Sequence, residues 1–69
     1  MGWFEDVQIW REGGDLLSRQ GKYAEALALY RRALAHCPGE AGTASIEEDI
    51  QRRISRCENK VKGRAAKPS

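Results

Sequence analysis

The softest and most nucleophilic side chains in this 69-residue chain are two cysteines, Cys37 and Cys57, and a single histidine, His36. His36 and Cys37 are adjacent and supply at most two ligands, where a structural zinc site takes four. No glycine-rich phosphate loop accompanies them, nor any Ser/His/Asp or Cys/His arrangement that a fold would assemble. No metal, cofactor or catalytic residue is assigned, and the chain reads as a non-enzyme with His36 at a helix end beside carbonyl dipoles. Two cysteines are also too few for the disulfide framework of a secreted mini-protein. The expectation is reduced thiols in the cytoplasm, or the nucleus.

The remaining chemistry is ionic and apolar, suited to holding another molecule. Net charge is +2, but residues 1–50 carry five basic and nine acidic side chains, while 51–69 carry seven basic and one acidic. The basic set is Arg52, Arg53, Arg56, Lys60, Lys62, Arg64 and Lys67. It lacks interleaved aromatics on which bases stack, so nucleic acid is a disfavoured partner. Arg11, Asp15, Ser18 and Arg19 share one helical face and form a candidate peptide contact. Trp3, Phe4 and Ile9 are more apolar surface than a small bundle covers, so the first helix is expected to pair with a second copy or dock on a partner.

These side chains need helices to position them. Trp3, Val7, Trp10, Gly14 and Leu17 recur at steps of four and three, predicting a helix over about 3–20 that stops at Gly21. Gly13 and Gly14 inside it each cost about 0.8–1 kcal/mol relative to alanine, implying a close backbone approach there. Tyr23, Ala26, Leu27, Tyr30, Ala33 and Leu34 line a second helix over about 23–36, which Pro38-Gly39 ends. A loop follows over 38–44. Ser45 and Glu48 then have the form of a capping box opening a third helix over about 45–62, with stripe Ile46, Ile50, Ile54, Cys57 and Val61 and a stop at Gly63.

The fold class is all-α, an antiparallel three-helix bundle with one domain over 1–63 and a disordered basic tail over 64–69. Trp10, Leu17, Tyr23, Leu27, Tyr30, Leu34, Ile50, Ile54 and Cys57 should form its core. The third helix, returning along the second, brings Ile46 near Leu34 and Cys57 near Ala26. Cys37 and Cys57 then lie roughly 15 Å apart along the axis, too far for a disulfide. No apolar stretch is long enough to span a membrane.

Trp10, Gly14, Leu17, Gly21, Tyr23, Ala26, Tyr30, Ala33 and Pro38 fall in the order and spacing of the tetratricopeptide repeat, which the chain resembles over about half its length. The resemblance implies a helical hairpin that binds other proteins through a helix or extended peptide. A second repeat 34 positions on would need a large residue, a small residue and a turn glycine where Ala44, Glu48 and Ser55 stand. One repeat is therefore expected, with the third helix as a cap or copies of the chain completing each other. Many members of the family grip a partner's C-terminal carboxylate with a lysine and an asparagine, slots that Arg11 and Asp15 occupy here. Asp15 would repel a carboxylate, so chaperone-tail binding of that kind is disfavoured. Gly21 to Tyr30, with Ile54 to Glu58, is also similar to the microtubule-interacting and trafficking domain. That domain's longer second helix is forbidden by Pro38, and its role would be to bind short helices in grooves of the bundle.

Overall fold

The computed structural model describes residues 2–66. Its elements run α1 (Trp3–Arg19), α2 (Tyr23–His36), a short 3-10 turn (Ala41–Thr43) and α3 (Ala44–Ala66), with no strand among the described residues.

Each boundary has a local cause. At the start of α1, Gly2 is extended and its amide donates to Glu5 Oε1 at 3.2 Å, satisfying an amide that the helix leaves unpaired. At the other end Gly21 takes φ 82°, a left-handed conformation that glycine adopts without a Cβ penalty. The Lys22 amide then reaches the Leu17 carbonyl at 2.9 Å and the Gly21 amide reaches the Ser18 carbonyl at 3.0 Å. This pair of bonds is a Schellman closure, and it reverses the chain into α2. The second helix ends where expected, because Cys37 is extended (φ −67°, ψ 137°) ahead of Pro38.

The third helix differs from expectation at both ends. It begins at Ala44, straight out of the 3-10 turn, so Ser45 lies inside the helix and does not cap it. Thr43, the last residue of the turn, immediately precedes the helix. Its buried hydroxyl donates to the Glu40 carbonyl at 2.8 Å and lies 3.2 Å from Glu47 Oε2. Gly63 does not stop the helix, since glycine breaks one reliably only in a left-handed conformation and only Gly21 and Gly39 have positive φ. Of the expected tail, residues 64–66 are helical and 67–69 lie outside the described residues.

Packing follows the small residues. A Cβ on Gly14 would sit 2.6 Å from Tyr30 Cε1, so the ring lies directly on the α1 backbone and only glycine fits beneath it. Ala26 and Ala33 are fully buried beside it. The buried core is Val7, Ala26, Leu27, Tyr30, Ala33, Ile50 and Cys57, ringed by Trp3, Trp10, Leu17, Tyr23, Leu34, Cys37, Ile46, Ile54 and Val61. Of the nine core residues expected from sequence, Leu27, Tyr30, Ile50 and Cys57 are buried, and Trp10, Leu17, Tyr23, Leu34 and Ile54 pack partly buried against them. Val7, Ala26 and Ala33 join the fully buried set because close helix crossing covers small side chains most completely.

Adjacent helices run antiparallel, with Arg31 on α2 bonded to Glu58 on α3 at 2.9 Å. It follows that α1 and α3 run parallel. Arg11 meets Asp49, Asp15 meets Arg53 and Ser18 meets Cys57, a nearly constant offset along the chain. The third helix thus covers the α2 flank of the hairpin and lies alongside α1, leaving a groove between the two parallel helices.

Candidate functional site: a basic groove between the first and third helices

The groove floor is an ion-pair network. Arg53 Nη1 lies 2.8 and 2.9 Å from the two Asp15 oxygens, and its Nε donates to Asp49 at 3.0 Å. Asp49 also receives Arg11 Nη1 at 3.3 Å, and the Tyr30 hydroxyl donates to Asp15. Two carboxylates and two guanidiniums therefore alternate across the helix pair, tied through Tyr30 to the core.

Burial shifts the ionisations in this network. Desolvation works against the charged form of Asp49, but the Arg53 hydrogen bond and the charges of Arg53 and Arg11 outweigh it and hold the carboxyl below the usual range. Desolvation likewise opposes charge on Arg53, and its bonds to Asp49 and Asp15 reverse the effect. Tyr30 is pushed well above an ordinary phenol by burial and then by its hydrogen bond to Asp15.

Above this floor lies a cavity of about 250 Å³ lined by Asp15, Ser18, Arg19, Tyr30, Arg53, Arg56 and Cys57. Arg53 is matched by its two carboxylates. Arg19 and Arg56, one from each helix, are exposed and make no ion pair among the described residues. The opening is therefore net positive, with hydroxyl groups below it. Cys57 Sγ, 3.9 Å from Ser18 Oγ, is buried in the wall, while His36 stacks edge-on against Trp10 at 5.0 Å, outside the cavity lining.

Six of the candidate contact residues singled out from sequence meet here: Arg11, Asp15, Ser18, Arg19, Arg53 and Arg56. Arg11 and Asp15, the two carboxylate-grip slots, are both taken up by internal partners. Arg52 and Lys60 are exposed on α3 outside the cavity lining. Trp3, Phe4 and Ile9 are not part of the groove lining either. Trp3 is half-buried against the core with its ring edge-on to Phe4 at 5.8 Å, while Phe4 and Ile9 are 45% and 65% exposed. Sequence reasoning missed Asp49, although its spacing of four from Arg53 on one helix is the signature of an ion pair. It also missed Leu16, which is 54% exposed.

A second, shallower groove of about 270 Å³ lies between α2 and α3, lined by Leu27, Arg31, Glu58, Val61 and Lys62. Cys37 and Cys57 are both free thiols. No helix among the described residues is long and apolar enough to cross a membrane.

Searches of curated proteins and of solved structures return no match. The family model of the Tetratricopeptide repeat matches residues 7–46, more than half of the chain, from the α1 residue Val7 to the first turn of α3. With a glycine under a tyrosine at the helix crossing, a glycine closing α1 and a proline after α2 all in place, the chain belongs to the tetratricopeptide repeat family.

Proposed function

We propose that the chain is a protein-interaction module that holds an acidic, extended segment of a partner protein in the groove between α1 and α3. The observation that carries this reading is the pairing of Arg19 and Arg56, unmatched cations on two different helices at one cavity. The floor beneath them is already neutralised, so an incoming carboxylate meets these two and not Arg53. Two exposed charge pairs contribute only about 0.5–2 kcal/mol together, while micromolar affinity needs about 8 kcal/mol. The partner must therefore run along the groove and use the Ser18 hydroxyl and backbone contacts as well. Binding, not catalysis, is the proposed activity, in the cytoplasm.

Fluorescence anisotropy of labelled extended peptides tests this. An acidic peptide should bind the wild-type chain, weaken with added salt, and lose about two- to fivefold in affinity on Arg19→Ala and more on the charge reversal Arg56→Glu. Equal binding of acidic and neutral peptides, or indifference to both substitutions, would remove the groove as the site.

The α2–α3 groove supports a second reading, as a dock for a short amphipathic helix in the manner of microtubule-interacting and trafficking domains. Leu27 and Val61 give it an apolar floor, and Arg31, Glu58 and Lys62 a charged rim.

A further inference from the structure

In a repeat array each hairpin is covered on both flanks by its neighbours. Here α3 covers the α2 flank, while α1 keeps Ile9 and Leu16 exposed at 65% and 54%. Seven residues apart, they form a single apolar line two turns long on the outer side of α1. Glu5, Glu12 and Arg19 run beside that line at the same seven-residue interval, and all three are exposed.

We infer that this face of α1 pairs with the same face of a second copy, antiparallel, about a two-fold axis beside Glu12. The symmetry of the pattern selects this occupant. The midpoint between Ile9 and Leu16 lies between residues 12 and 13, and the midpoint between Glu5 and Arg19 is residue 12. One rotation therefore seats Ile9 of each copy on Leu16 of the other and also brings Glu5 of each copy to Arg19 of the other. That match makes an isologous contact, the commonest kind in homodimers. A parallel two-fold pairing would instead put the two charged rows on opposite sides of the apolar seam, where Glu5 and Arg19 of one copy do not meet those of the other. The antiparallel pair has one like-charge contact, at Glu12 on the axis. The surface shares Arg19 with the cavity but none of the residues of its floor, so pairing leaves the Arg53 network intact and competes with a groove-bound carboxylate for Arg19 alone.

Sedimentation equilibrium of the full chain, from about 5 μM to about 1 mM, reads the association directly. The expected mass rises toward twice 7.7 kDa. Ile9→Asp and Leu16→Asp should each weaken dimerisation at least tenfold while circular dichroism keeps its helical signal, since both positions are solvent-facing. Arg19→Glu should weaken it severalfold, Glu5→Arg combined with Arg19→Glu should restore it, and Glu12→Gln should tighten it. A wild-type chain that stays at 7.7 kDa throughout would overturn the inference. A dimer insensitive to Ile9→Asp and Leu16→Asp would overturn it too, and a charge swap that fails to restore association would overturn the antiparallel register.

Discussion

Two neighbouring glycines in α1 have different jobs, and the difference can be measured. Alanine at position 14 would push a Cβ to within 2.6 Å of the Tyr30 ring, which is fully buried and cannot withdraw. The overpacking cost of about 1–3 kcal/mol exceeds the gain of about 1 kcal/mol in helix propensity, so Gly14→Ala should lower the thermal midpoint. At position 13 the nearest atom is Leu29 Cδ1 at 3.0 Å, the far end of a flexible side chain on a half-exposed residue. Gly13→Ala should therefore be neutral or stabilising by up to about 1 kcal/mol. A thermal melt of the two variants side by side checks both. Asp49 gives a pH prediction. Its folded carboxyl titrates below the ordinary value of 3.8, so its contribution is complete above that pH and is lost as pH falls through the folded value. The thermal midpoint of the wild type should fall more steeply below about pH 4 than that of Asp49→Asn. Small residues at a helix crossing were legible in the sequence, because few physical reasons keep two glycines inside a helix. The Tyr30–Asp15–Arg53–Asp49–Arg11 network was not, apart from the Asp49–Arg53 spacing. Long charged side chains choose partners by the distance between helices, which composition and periodicity do not fix.

Helix existence and order are set by patterns longer than any one residue, and all three helices were legible for that reason. Their ends were legible where one residue decides them, as at Gly21 and Pro38. They were not at α3, where the 3-10 turn over 41–43 runs straight into the helix ahead of Ser45 and Gly63 takes no left-handed turn. What holds α3 in place is chiefly Ile50, fully buried, with Cys57 behind it. Ile50→Ala should cost about 2–5 kcal/mol. In a domain of this size that corresponds to a loss of roughly 8–40 °C in the thermal midpoint, enough to unfold the chain near room temperature at the upper end. Guanidinium unfolding of Ile50→Ala against Ile54→Ala, whose side chain is only half-buried, should rank the first as the more damaging.

At the scale of the whole molecule, one repeat is converted from a link in an array into a unit with two surfaces that meet at Arg19. The third helix matters for both. By covering α2 it leaves the outer side of α1 as the uncovered flank, and by running parallel to α1 it creates a cavity whose opening is basic. The candidate surfaces were only partly legible from sequence. Arg11, Asp15 and Arg19 could be placed on one face of α1, but which of them remains free depends on Arg53 and Asp49 arriving from a helix 38 residues away. The proposal that the groove is where a partner binds is tested most directly by residue-resolved NMR of the isotopically labelled full chain during titration with an acidic peptide. Chemical-shift changes should concentrate at Ser18, Arg19, Arg53, Arg56 and Cys57. Changes centred on Ile9 and Leu16, or on Leu27 and Val61, with the groove resonances unmoved, would contradict it.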